Sequence, residues 1–150
     1  MRDLISNLRL IRGAKQTLSG VTANNSALID RRGFSSLTVY LETGTVTDAG
    51  TSAGFTMKLQ HSDSTLGTSF VDVTDAELVH GSSTLYTVTV TSDSDDDILA
   101  GGVGYIGGKR YVRAVITGTT LTAADVFILA ALGHPAQAPT TTVGATTAST

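Results

Sequence analysis

The sequence predicts an all-β chain: an antiparallel β-sandwich or jelly roll with an N-terminal arm and an extended C-terminal tail. Three observations carry this expectation. Several segments alternate apolar and polar residues with period two, the pattern of a half-buried strand. Threonine fills 25 of the 150 positions, and its branched Cβ suits strands better than helix interiors. Turn signals rich in Gly, Asn, Asp and Ser recur about every ten residues, as they do between the short strands of a sandwich.

Taken in order, residues 1–12 read as an arm. Leu4, Leu8 and Ile11 fit a helical stripe, while Leu8 and Leu10 fit alternation; both readings stand at this point. Short strands are expected near Ala14–Leu18 and Ala27–Asp30. Ser36–Thr43 is a strong strand, with Leu37, Val39 and Leu41 inward. A Gly/Thr/Ser-rich loop should follow from Gly44 to Gly54. Phe55–His61 alternates next, with Phe55, Met57 and Leu59 inward. A short strand at Phe70–Val73 leads to Thr74-Asp-Ala-Glu77, which has the spacing of a capping box and predicts a helical turn. Leu85–Ser92 alternates again. An acidic loop and a Gly-rich turn then feed Arg110–Thr117, where Val112, Ala114 and Ile116 face a core and Tyr111 and Arg113 stay available to a neighbour. Val126–Leu132 is apolar on both faces, so a fully buried strand with a covered outer side is expected. The tail after Pro139 has too little apolar surface to offset its own ordering entropy, so in isolation it should be disordered, and if it is ordered a neighbouring subunit is its expected anchor. The expected division is thus arm 1–12, β domain 13–139 and tail 140–150.

Composition narrows the function classes. Charged residues make up 15% and hydrophobic residues 41%, which argues against global disorder. The chain has no cysteine, which excludes disulfides and thiolate metal sites. Arg9 and Arg12 interrupt any apolar leader near the N-terminus, and no apolar run reaches membrane-spanning length. Residues 1–32 hold six basic and two acidic groups, net +4, and the remainder four basic and eleven acidic, net −7. A basic lead on an acidic body suits docking to a complementary surface.

Sequence motifs with chemical meaning are weak here. Gly50-Thr-Ser-Ala-Gly54 matches the nucleophile-elbow pattern, but the following segment alternates as a strand rather than a helix. Gly102-Val-Gly-Tyr-Ile-Gly107 matches a dinucleotide fingerprint, yet no helix follows to receive a pyrophosphate; a Gly-rich turn is expected. Asp93, Asp95, Asp96 and Asp97 lack the spacing and closing Glu of a calcium loop. His61, His80 and His134 show no ligand spacing. Lys109-Arg110 beside Tyr105 and Tyr111 is too small a basic footprint for nucleic acid. No catalytic residue, metal or cofactor is expected, and neither a nucleic-acid nor a membrane partner.

The wording of several stretches is more specific. Tyr105-Ile-Gly-Gly-Lys-Arg-Tyr-Val-Arg113, the ending Leu132-Gly-His-Pro-Ala-Gln-Ala-Pro139, Leu59-Gln-His-Ser-Asp63 with Phe70-Val-Asp-Val73, the opening Met1-Arg-Asp-Leu-Ile-Ser-Asn-Leu8 and Asp30-Arg-Arg-Gly-Phe34 together resemble the cement or decoration proteins of tailed-bacteriophage heads. The resemblance covers most of residues 1–139; the acidic loop Ser92–Asp97 and the Thr-rich tail depart from it. It implies a structural virion protein on the capsid exterior, bound to the major capsid protein and to further copies of itself as a trimer. The contacts it implies lie at Arg2, Leu4, Leu8, Arg9 and Arg12, at Arg31 and Arg32, and at His134 and Pro135. The competing expectation is a carbohydrate-binding jelly-roll module of a head or tail fibre, with Tyr40, Tyr105 and Tyr111 as its stacking platform.

Overall fold

The computed structural model describes residues 4, 6–48, 55–79, 86–88, 99–118 and 123–137. Among these, eleven strands form two antiparallel sheets that pack face to face. They are β1 Leu8–Ser19, β2 Asn24–Asn25, β3 Ile29–Asp30, β4 Phe34–Asp48, β5 Phe55–Ser62, β6 Val71–Asp72, β7 Leu78–Val79, β8 Tyr86–Val88, β9 Leu99–Tyr105, β10 Tyr111–Gly118 and β11 Ala123–Pro135. The first sheet has the order β1-β11-β4-β9-β7. The second runs β2-β10-β5-β6, with β3 also on β10 and β8 on β5.

The alternating segments become the core because every second side chain points inward. β4 contributes Leu37, Val39 and Leu41, and β11 contributes Val126, Ile128, Ala130 and Leu132. They meet Phe55, Met57 and Leu59 of β5 and Val112, Ala114 and Ile116 of β10. Removing one of the larger of these side chains from water, such as Val39, Leu59 or Ile116, contributes roughly 1.5–3 kcal/mol. The capping box also forms: Thr74 and Glu77 bracket a 3-10 turn at Asp75–Glu77.

Four expectations change. The arm boundary at residue 12 falls inside β1, whose Leu8–Arg12 pair with Leu129–Gly133 of β11; strand alternation prevails there over the helical stripe. β4 continues to Asp48, through the start of the expected Gly44–Gly54 loop. The Gly-rich segment is a strand up to Tyr105 and a turn only beyond it. Its glycines are tolerated because neighbours fill the missing side-chain space: the Tyr40 ring lies over Gly102, where an added Cβ would sit 2.6 Å from Cδ1 of that ring. Finally, β11 is buried on one face only. Its other face carries Phe127, Leu129 and Ala131, with Leu129 38% exposed.

Candidate functional site

Two clusters of polar and apolar side chains stand out, at different places on the sandwich. The first is a polar knot that spans the two sheets. Tyr105 of β9 and His61 of β5 are both buried, and their Oη and Nδ1 lie 2.8 Å apart with the rings edge to face. Glu77 Oε1 lies 3.7 Å from the same His61 nitrogen. Burial opposes the Glu77 charge, but hydrogen bonds from the Thr74 backbone and hydroxyl outweigh it and lower its pKa. Burial raises the Tyr105 pKa, so the phenol is neutral at ordinary pH.

Arg31 belongs to this knot. It donates to the carbonyls of Gly107 at 2.6 Å and Lys109 at 2.9 Å, and its guanidinium stands 4.6 Å from the Tyr105 ring centre. Around it, Lys109 pairs with Asp63 at 2.6 Å and Arg110 with Asp30 at 2.7 Å. The lysine ammonium lowers the Asp63 pKa, and the arginine guanidinium lowers that of Asp30. Arg113, expected to await a neighbour, instead donates twice to Gln60 Oε1 and stacks 4.4 Å from the centre of the Phe70 ring. Tyr111 lies under the Arg110 guanidinium. These basic groups hold the loops of this chain to one another.

The second cluster is the outer face of the first sheet. Cross-strand partners share a face, so Leu8 with Gly133, Leu10 with Ala131 and Arg12 with Leu129 point outward together. Ser36, Thr38 and Tyr40 of β4 pair with Gly133, Ala131 and Leu129 and continue the row. Leu10 is 50% and Leu4 72% exposed. Two shallow depressions of about 440 and 460 Å³ share Ser36, Thr38 and Tyr40 as their common wall. Leu4 and Leu8 line one, Val79 and Ile106 the other.

Charge distinguishes this face from the knot. Among the described residues, Arg9 and Arg12 are exposed and have neither a carboxylate nor a hydrogen-bond partner, whereas Lys15, Lys58, Lys109 and Arg110 each have a carboxylate. The expected contact residues therefore separate. Leu4, Leu8 and Arg12 come together at one rim of the outer face, and Arg9 lies on the same strand with its side chain on the other side of the sheet. Arg31 is engaged within the chain. Arg32 is exposed, and its backbone N–H caps Asp30. His134 turns the chain at φ 51°, its Nδ1 3.0 Å from Ser36 Oγ, and Pro135 pairs with Phe34; both serve the end of β11. Arg2, the tail, Ser52, His80 and Asp93–Asp97 lie outside the described residues.

Sequence reasoning missed Leu10 and Leu129 as members of the face. The alternation of Leu8 with Leu10 was the available signal for the first. Nothing in the sequence marked Leu129, because an apolar run cannot reveal which of its sides is covered. Among the described residues, no group of three or more acidic or histidine side chains is placed to hold a metal, and no helix is long and apolar enough to cross a membrane. No family model, curated protein or solved structure matches this chain.

Proposed function

We propose that this chain is a structural virion protein that binds the outer surface of a tailed-bacteriophage head and cements adjacent capsomers, in contact with the major capsid protein and with copies of itself. The observation that carries the proposal is the outer face of the first sheet. It is apolar at Leu4, Leu10 and Leu129, and its β1 rim carries Arg12, with Arg9 on the opposite side of the same strand, both side chains unpartnered among the described residues. An exposed apolar patch with a polar rim is what a protein-binding surface requires. The sequence resemblance supplies the identity of the partner.

The mechanism is buried area rather than bond chemistry. A stable protein interface removes on the order of 1,600 Å² from water. Bridging two capsomers adds that interface to what internal pressure must break before they separate. The strands offer a stiff support, since among the described residues every long strand except the edge strand β1 is paired on both sides.

The test is the copy number in purified parent particles, measured by quantitative mass spectrometry against the major capsid protein. A ratio near one to one is expected. Absence from the particle would overturn the proposal, and a few copies at a vertex or tail would overturn the cementing role.

One observation favours the carbohydrate reading: Tyr40 sits on the exposed face, its ring laid over Gly102. A ring held in this way can stack on a sugar. A glycan array that gives hits abolished by Tyr40→Ala would move the assignment to that reading.

A further inference from the structure

β1 is the edge strand of its sheet, and among the described residues only part of that edge is closed. From Gly13 onward the chain itself covers it. The register shifts between Arg12 and Ala14, Ala27 N–H donates to the Gly13 carbonyl at 2.8 Å, and Gln16 Nε2 donates to the Asn25 carbonyl at 3.0 Å. Before the shift, Leu8–Arg12 pair with β11 on one side and have no backbone partner on the other among the described residues. Five residues of open edge are a template for another strand.

We propose that Leu8–Arg12 capture an extended acidic segment of another protein by strand addition. The inference rests on the reading above that this rim meets a partner protein, and it names the chemistry of that partner. Backbone hydrogen bonds along the open edge supply attachment, and side chains supply selection. Arg12 lies on the outer face and Arg9, opposite Leu132, on the other side of the sheet at its rim. Both are exposed and unpartnered among the described residues. An incoming strand therefore meets one arginine on each of its faces, at positions three residues apart, with an apolar position facing the half-exposed Leu10. The matching segment reads acidic, any, apolar, acidic.

A second copy of the same edge is the wrong occupant. Antiparallel pairing of Leu8–Arg12 with itself would gather four arginines within one short ladder. Like charges so placed oppose association, the usual way in which natural edge strands avoid self-pairing.

The experiment uses the full chain and three synthetic peptides. The first is the capped heptapeptide Thr-Glu-Val-Leu-Glu-Val-Thr, the second has both glutamates replaced by lysine, and the third is the acidic peptide N-methylated at alternate amides. Binding is followed by backbone amide shifts and by hydrogen exchange. The acidic peptide should bind and slow exchange at Leu8–Arg12. The lysine peptide should bind at least tenfold more weakly, and Arg9→Glu with Arg12→Glu should reverse that order. The N-methylated peptide keeps its charge and loses its ladder donors, so it should not bind. Equal binding of the N-methylated peptide, or binding that leaves Leu8–Arg12 exchange unchanged, overturns strand addition. So does no binding by the acidic peptide. Peptide capture by a protein that does not bind phage heads would overturn the proposed function and leave strand addition intact; head binding without peptide capture would do the reverse.

Discussion

Tyr105 Oη and His61 Nδ1 lie 2.8 Å apart in the core and join the two sheets through a single buried hydrogen bond. The same phenol oxygen accepts the Lys109 N–H at 3.1 Å. One hydroxyl thus satisfies a buried imidazole and fixes the turn that leads into β10. Tyr105→Phe keeps the ring and leaves both partners without it. The cost of such an orphaned buried group is about 1–3 kcal/mol, so thermal unfolding should begin several degrees lower. An unchanged melting temperature would mean that water replaces the hydroxyl without loss.

The turn after Tyr105 offers an internal comparison. A Cβ at Gly107 would lie 2.5 Å from Tyr105 Oη and 2.7 Å from Glu77 Oε1, whereas one at Gly108 meets nothing within 4 Å. Gly107→Ala should destabilise by about 1–3 kcal/mol through overpacking. Gly108→Ala should be close to neutral. Paired denaturant titrations of the two variants check this, and equal midpoints would contradict the packing described for the knot.

Acid should loosen the molecule in a defined window. Asp30, Asp63, Asp72 and Asp125 all have pKa values below the ordinary carboxylate range, chiefly through hydrogen bonds from Arg110, Lys109, Lys58 and the Thr17 hydroxyl in turn. A carboxylate that is more acidic folded than unfolded stabilises the fold fully above its unfolded pKa, about 3.9 for Asp. That contribution is lost as pH falls through the folded value. Melting temperature should therefore be flat from neutral pH down to about 5 and drop below about 4. Asp30→Asn should lower stability at neutral pH and flatten the acid limb. These pairs are largely exposed, so added salt should weaken the effect.

What the sequence revealed follows from where each strand sits. β4, β5 and β10 each bury one face and leave the other partly exposed, so their apolar residues recur at every second position and the strands can be recognised without a structure. β1 hides itself because an edge strand carries Arg9, Arg12 and Lys15 along its exposed positions, which blurs the alternation. β9 is hidden for a different reason: Gly101, Gly102 and Gly104 have low strand preference, and only Tyr40 and Val79 packed over two of them make the conformation favourable. The knot was illegible because the pairs that tie it together, His61 with Tyr105 and Asp30 with Arg110, are 44 and 80 residues apart. The same distance concealed that Arg31 and Arg113 are engaged inside the chain while Arg9 and Arg12 are not. A basic residue in a sequence carries no mark of whether its carboxylate is already at hand.

That difference yields the last prediction. Arg9→Ala with Arg12→Ala removes two exposed side chains that touch no partner among the described residues, so stability should change by less than about 0.5 kcal/mol. Arg31→Ala removes donors from two loop carbonyls and a cation from the Tyr105 ring. It should cost about 1–3 kcal/mol. If the chain has the proposed function, binding to phage heads should show the opposite pattern. The double variant should cosediment poorly with heads stripped of the protein, and the remaining binding should be less sensitive to salt, because the charges that salt screens are gone. Folded Arg31→Ala protein should cosediment like the parent. Melting curves and sedimentation at low and high salt separate the two effects. Parental cosedimentation by the double variant at both salts would place the head-binding surface away from the β1 rim.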